Sequence, residues 1–356
     1  MSNSQHLPVG KSGTKIEGLF VLARQKKASD IYLAAGDHPV LKVYGKLERL
    51  TEYPVIKGSY LEDLFYSVLT AKQQQDFERR MELELTYITE AAGNIQIILY
   101  ATENGIGAAC RLIPTKIPSF REIGPGDSLK KIASLDQGLI LITGKSNSGK
   151  TTTIASIIDY INTHLRKSIV TIENPIRFAH KSKSSLVLQR EIGLHAQDYA
   201  SSILTAMRSD MDVIFFSDID GPETLAMAMN AAESHLVLTT SISFGGSGWA
   251  IRKLFDLFPN DRQEYVRMHL SRVLRALIWQ HLIPLEGHKG LKIAMEIMLN
   301  NKKIAEFIQK NELHKVHGEI EKGSGGMQTI RKSISEIEGV AIKIATHIGE
   351  SLLFGI

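Results

Sequence analysis

The chain has 356 residues, more than one compact core normally holds, so its length predicts at least two domains. The 42 Lys and Arg residues nearly balance the 38 Asp and Glu residues, and they are interleaved with them, which does not favour nucleic acid as a partner. The single cysteine excludes an intrachain disulfide framework and indicates a reducing compartment, and no apolar run reaches the about 18 residues of a membrane span.

Residues 1–112 predict a small α+β domain. Apolar residues recur at helical spacing over Thr14–Lys27 and again over Leu61–Glu84. Short β-type runs lie between and after these helices, separated by glycine-containing turns. The runs are Asp30–Ala34, Pro39–Tyr44, Leu85–Ile88, Ile95–Tyr100 and Gly107–Leu112.

Two prolines, Pro114 and Pro118, disfavour helix and central strand and predict an interdomain linker at 113–127. Residues 128–285 then alternate short apolar runs with helical patterns, which is typical of a parallel sheet covered on both faces. The runs are Gly138–Thr143, Ser168–Ile172, Leu186–Leu188, Val213–Phe216 and His235–Thr239. Short helical patterns predict a helical C-terminal region at 286–356.

A phosphate-binding motif follows the first of these runs. The octet Gly144–Thr151 fits G-x-x-x-x-G-K-[ST] between a predicted strand and a predicted helix. Glycines let successive backbone N–H groups face a β-phosphate, Lys150 reaches the β- and γ-oxygens, and the Thr151 hydroxyl binds Mg²⁺. A glycine-rich turn is the alternative. The predicted nucleotide-binding residues here are Gly144, Ser146, Asn147, Ser148, Gly149, Lys150, Thr151 and Thr152.

Two acids follow predicted strands whose carboxyl ends should share one sheet edge with this loop. Asp218 comes shortly after Val213–Phe216 and is the candidate base that activates water. Glu173 follows Ser168–Ile172 and is the second candidate, with a further possible role as a magnesium ligand through water. The alternative for each acid is a helix N-cap or a surface carboxylate.

Several segments together resemble the conserved boxes of the type IV pilus retraction ATPases, the PilT/PilU-like branch of the secretion ATPases. They are Ser29–Gly36, Thr171–Pro175, Gln189–Glu191, Asp212–Phe216, Ala231–Val237, Leu257–Pro259 and Gly326–Thr329. The resemblance implies a PAS-like N-terminal domain joined to a RecA-like ATPase domain. It also implies a hexameric ring in the bacterial cytoplasm that docks on the inner-membrane pilus platform protein and uses ATP to depolymerise pilin.

The resemblance also suggests four nucleotide contacts outside the loop. Arg111, Arg190 and Arg208 keep family-like positions, and each could contact phosphate in its own or the adjacent protomer. An exposed or ion-paired arginine is the alternative. His235 is the one histidine that remains of the family's histidine boxes.

The chain departs from the family pattern at the residues for hydrolysis. Asp218 stands where the family has a longer glutamate, and Asn174 and Arg177 replace two acids. Ile242 replaces a histidine, and an apolar side chain cannot bind a γ-phosphate. Family arginines are also missing at 93–96 and 304–309. We therefore expect a subunit that binds ATP and Mg²⁺ but hydrolyses ATP slowly.

Three functions remain open at this point. The first is a retraction motor subunit with weakened hydrolysis, in a homohexamer or in a mixed ring with a paralogue. The second is a nucleotide-gated structural subunit without significant turnover. The third, a RecA-like DNA motor, ranks lowest because the sequence has no aromatic and basic tract. The expected partners are therefore other ring subunits and the platform protein, without nucleic acid and without a membrane span of its own.

Overall fold

The computed structural model describes residues 15–337 except 44, 115, 244 and 285–290. The chain forms two compact units, Met1–Lys116 and Ile117–Ile356, and the division falls inside the segment 113–127. No described helix is both long and apolar enough to span a membrane.

The first unit contains a six-stranded antiparallel sheet in the order β3-β2-β1-β6-β5-β4. Its helices are α1 (Lys15–Gln25), α2 (Gly58–Tyr66) and α3 (Ala71–Arg80). Its strands are β1 (Ala28–Ala34), β2 (Val40–Val43), β3 (Lys46–Arg49), β4 (Glu82–Thr89), β5 (Gly93–Thr102) and β6 (Gly105–Leu112). Ile16, Leu19 and Phe20 of α1 recur at helical spacing and are buried in the core of this unit.

The predicted helix at 61–84 is wrong in its bounds, because the structure has two helices there. Thr70 and Gln73 form a capping box that starts α3, and Met81 ends it in the left-handed conformation, φ 62°. Both signals are local, but the apolar spacing runs on through them and hides the break.

The second unit contains a seven-stranded sheet in the order β13-β12-β7-β11-β10-β8-β9, in which β13 alone is antiparallel to its neighbour. Its strands are β7 (Gly138–Gly144), β8 (Ser168–Glu173), β9 (Leu186–Glu191), β10 (Val213–Phe216), β11 (Leu236–Ile242), β12 (Leu274–Pro284) and β13 (Leu291–Leu299). The carboxyl ends of β7 to β12 therefore meet at one edge, which we name the carboxyl edge.

Helices cover both faces of this sheet. They are α4 (Phe120–Ile123), α5 (Gly126–Ala133), α6 (Lys150–His164), α7 (Tyr199–Arg208), α8 (Pro222–Ala231), α9 (Ser247–Phe255), α10 (Asn260–Val273), α11 (Lys302–Gln309), α12 (Val316–Glu321) and α13 (Ile330–Ser335). In β7, Leu139 and Leu141 join one buried cluster while Ile140 and Ile142 join the cluster on the opposite face. Burial on both faces explains why the strands are continuous apolar runs.

Two segments differ from the sequence-based expectations. Helices α4 and α5 begin inside the predicted linker, where Ser119 and Glu122 form a capping box after the prolines. The predicted helical C-terminal region opens with strand β13, because Leu291–Leu299 pairs antiparallel with β12 and its central residues are buried. Helices follow from Lys302, and 338–356 lies outside the described residues.

Candidate nucleotide site

The glycine-rich segment forms a loop between β7 and α6 at the carboxyl edge. Its backbone has positive φ at Gly144 (147°) and Gly149 (88°), a conformation that glycine adopts without steric cost, and at Asn147 (61°), a residue type that tolerates the left-handed region. A methyl group on Gly144 would lie 2.4 Å from the backbone oxygen of Gln280 and 2.6 Å from Ser148 Oγ. The site therefore requires glycine at position 144 because the neighbouring strand approaches so closely.

The Lys150 side chain folds back over this loop. Its ammonium nitrogen donates to the carbonyls of Gly144 (3.1 Å) and Lys145 (2.8 Å). Partial burial lowers the pKa of Lys150, while the negative charge of Asp218 opposes that shift. A positive charge is thus held beside the first turn of α6. The backbone N–H groups of this turn have no hydrogen-bond acceptor within the helix. This donor set fits the oxygens of a polyphosphate.

Gln280 of β12 is hydrogen-bonded to the loop, and it was not among the residues predicted from the sequence. Its side-chain nitrogen donates to the Ser148 carbonyl at 2.8 Å, and the residue is fully buried. A glutamine inside the apolar run Leu274–Pro284 is a local signal that could have identified it. Within the described residues, the buried side-chain oxygens without a hydrogen-bond partner include those of Thr143, Ser148, Thr153 and Gln280.

Asp218 lies just beyond the end of β10. Because β11 separates β10 from β7, the Asp218 backbone lies two strand positions, about 10 Å, from that of the loop. Oδ1 accepts a hydrogen bond from the Ile219 N–H at 2.9 Å. Desolvation raises the pKa of Asp218; the Ile219 hydrogen bond and the charges of Lys150 and Lys253 oppose this shift.

Glu173 ends β8, one strand further from the loop. Its side chain is 4% exposed and accepts hydrogen bonds from Thr171 Oγ1 (2.7 Å), Gln189 Nε2 (3.2 Å) and the Arg177 N–H (3.2 Å). Burial raises the pKa of Glu173 to about 6, partly offset by these three donors. Its carboxylate is directed toward β9 and the 177 segment, so its role as a water-mediated magnesium ligand stays a prediction.

Comparison with known proteins decides the family. Residues 122–344 match the family described as type II/IV secretion system protein. The type IV pilus retraction ATPase PilT of Pseudomonas aeruginosa is 32% identical over 317 residues, which cover 88% of this chain and 91% of that protein. The chain belongs to the type IV pilus retraction ATPases.

Other relatives agree with this assignment. The type IV pilus ATPase PilU of the same organism is 30% identical over 325 residues, covering 91% of this chain and 85% of that protein. A crystal structure of the pilus retraction motor PilT with bound ADP has a TM-score of 0.85 and 32% identity, covering 93% of this chain and 96% of that one. The predicted resemblance and the predicted α/β, RecA-like fold are therefore confirmed.

Two residues predicted to contact nucleotide in this retraction ATPase lie where the parallel strands begin, at the edge opposite the carboxyl edge. His235 directly precedes β11, and its carbonyl accepts from the N–H of Gly138, the first residue of β7. The seven residues of β11 span about 20 Å. Arg208 ends α7, which starts beside Ser217 at the carboxyl edge and runs back toward the start of β10. Neither belongs to the phosphate loop of its own chain, because these positions precede parallel strands and do not follow them.

The other two arginines have protein partners. Arg190 lies in the edge strand β9, four strand positions from β7, and donates to the His195 carbonyl at 2.9 Å. It lines a surface depression of about 390 Å³ with His195, Ser201 and Thr205. Arg111 lies in β6 of the first unit and pairs with Asp30 at 3.0 Å. The nucleotide contacts of both arginines stay predictions.

Ile242, the last residue of β11, stands where the family pattern has a histidine. Ile242 is 38% exposed there, and its register partner in β7 is Gly144. The carbonyl of Ile242 accepts a hydrogen bond from Lys253 Nζ of α9 at 2.7 Å. Lys253 is one lysine in an amphipathic helix, which carries no local signal of function in the sequence.

Proposed function

We propose that this chain is an ATP-binding subunit of a type IV pilus retraction motor that hydrolyses ATP slowly. It acts in a homohexamer, or in a mixed ring with a paralogue, in the bacterial cytoplasm, and reaches the inner membrane through the pilus platform protein. Membership of the family supports the motor and the partners. The observation that carries nucleotide binding is the glycine loop with the Lys150 ammonium held over its carbonyls.

The residues of the loop have distinct roles in this proposal. Backbone N–H groups of 144–150 surround the phosphates, with Lys150 on the β- and γ-oxygens. The hydroxyls of Ser146, Thr151 and Thr152 lie at the same loop and helix start, and Thr151 would hold Mg²⁺. When bound, Mg²⁺ neutralises charge that develops on the phosphate oxygens. Asp218 holds the position of the base that takes a proton from water.

Slow hydrolysis is supported by the state of the two acids. Asp218 is one methylene shorter than the glutamate of the family pattern, about 1.5 Å of reach. Its Oδ1 already accepts a hydrogen bond from the Ile219 backbone N–H. Glu173 is buried and accepts from three protein donors. A base that is badly placed costs about 10²–10⁴ in rate.

The arginines and His235 enter the proposal as contacts between protomers. Arg208 and His235 lie at the sheet edge opposite the carboxyl edge. They can therefore contact the phosphates of a nucleotide that is bound to a neighbouring subunit of the ring. Arg111 and Arg190 have the same proposed role, with their present partners Asp30 and the His195 carbonyl released on assembly.

The second candidate is a nucleotide-gated ring subunit without turnover. The three hydrogen bonds that hold Glu173 favour it, because they leave this acid engaged with protein groups. Phosphate release and thermal shift, measured on each oligomeric fraction, separate the two candidates. A nucleotide at 100 times its Kd stabilises the folded state by about 2.7 kcal/mol. Slow release supports the first candidate, and ATP stabilisation without any release supports the second.

Lys150→Ala is the matched control for this experiment, since it removes the ammonium and leaves the loop backbone. We expect it to lose both nucleotide stabilisation and phosphate release. Rapid turnover that disappears in Asp218→Ala would contradict slow hydrolysis. Absence of any thermal shift or binding heat with ATP or ADP in the wild type would overturn the proposed function altogether. Stimulation by DNA would favour the DNA motor.

A further inference from the structure

Helix α9 brings a second lysine to the carboxyl edge. Lys253 lies in the last turn of this helix, and its side chain is exposed. Its ammonium nitrogen donates to the backbone carbonyl of Ile242 at 2.7 Å. The positive charge therefore lies at the end of β11, at the backbone carbonyl of the residue that stands where the family pattern has a histidine.

The sheet register places this ammonium beside the phosphate loop. Ile242 is the register partner of Gly144, so their backbones lie about 5 Å apart. The Gly144 carbonyl accepts from Lys150 Nζ at 3.1 Å, just as the Ile242 carbonyl accepts from Lys253. Two ammonium groups thus bind the carbonyls of register-paired residues on adjacent strands, and the Gly144 carbonyl also accepts from the Ser243 N–H at 3.4 Å.

Asp218 lies on the side of Lys253 that is away from the phosphate loop. It follows β10, which neighbours β11, and its carboxylate interacts electrostatically with both Lys150 and Lys253. The order along the edge is therefore the loop lysine, the second lysine, then the candidate base. The γ-phosphate is the part of ATP that lies between the loop and the base, and ADP lacks it.

An ammonium has three N–H donors, and one of them is used by the Ile242 carbonyl. We propose that Lys253 binds the γ-phosphate and makes this chain bind ATP more tightly than ADP, taking over the role that Ile242 cannot perform. This inference rests on the proposed nucleotide binding and extends it to discrimination between the two nucleotides.

Isothermal titration of the full chain with Mg²⁺ and either AMP-PNP or ADP tests this inference. Lys253→Met should weaken AMP-PNP binding about tenfold, the loss expected for one hydrogen bond between charged groups. ADP affinity should change less than about twofold, and the melting temperature of the unliganded protein should stay the same. Lys253→Arg should retain the preference for AMP-PNP because the charge is kept.

Arg252→Met is the matched control, because Arg252 is the adjacent exposed cation of α9 and pairs with Asp256 at 3.2 Å. It should bind both nucleotides like the wild type. Unchanged AMP-PNP affinity in Lys253→Met, or an equal loss for both nucleotides, would overturn the role of Lys253 while nucleotide binding stands. Failure of the wild type to bind either nucleotide would instead overturn the proposed function.

Discussion

Replacing Gln280 with methionine tests whether β12 holds the phosphate loop in its binding conformation. The substitution keeps the side-chain length and removes the 2.8 Å hydrogen bond to the Ser148 carbonyl. Such a bond contributes about 1 kcal/mol net. The variant also removes a buried oxygen, Gln280 Oε1, that has no partner among the described residues, which offsets part of the loss. We therefore expect the free energy of unfolding to change by about 1 kcal/mol or less.

Nucleotide affinity should be affected more than stability. Without the amide of Gln280 the loop becomes ordered only when the nucleotide binds. The cost of this ordering, about 1 kcal/mol, then reduces the free energy of nucleotide binding. Since 1.4 kcal/mol is tenfold, the Kd for ADP should rise about fivefold. The Kd for AMP should not change, because AMP has no β-phosphate for the loop to bind.

Calorimetric titration with ADP and AMP measures both constants, and Gln328→Met is a matched control. Gln328 is also buried and donates to a backbone carbonyl, that of Met295, at 2.9 Å, but on the β13 side of the sheet. It should leave both affinities unchanged. If Gln280→Met binds ADP as the wild type does, or if the control loses as much affinity, the hydrogen bond of Gln280 does not hold the loop for binding.

Three further changes have expected outcomes. Gly144→Ala should weaken ADP binding at least about tenfold in calorimetry, since its methyl group would lie 2.4 Å from the Gln280 carbonyl oxygen; wild-type affinity would contradict this. Phe216→Ala should lower the free energy of unfolding by about 3–5 kcal/mol in guanidinium titration, because Phe216 is fully buried, and a loss below about 1 kcal/mol would show that the core collapses around it. The pKa of Glu173 is raised to about 6, so protonation of Glu173 favours the folded state. Its contribution to the free energy of unfolding is complete below about pH 4.5 and is lost as the pH rises through 6. Relative to Glu173→Gln, the wild type should therefore gain up to about 2 kcal/mol in denaturation between pH 7.5 and 4.5, and a pH-independent difference would argue against the shift.

The phosphate loop could be predicted from the sequence because strand, loop and helix are contiguous. Gly144–Thr151 contains its own turn residues, its lysine and its hydroxyl, and the apolar run before it reports burial on both faces. The position of Asp218 could be predicted in the same way, since a carboxylate after a buried strand lies at the carboxyl edge whatever the strand order, while its role as the base stays a prediction.

The tertiary structure alone decided which distant residues meet this loop. Gln280 lies 132 residues from Ser148, and Lys253 reaches β11 from a separate helix. Strand order also placed Arg190 four strand positions from β7, and side-chain patterns do not show which strands are neighbours. The physical reason is that strands pair through backbone N–H and C=O groups, which are the same at every residue, so side-chain patterns report burial and period but not the neighbour.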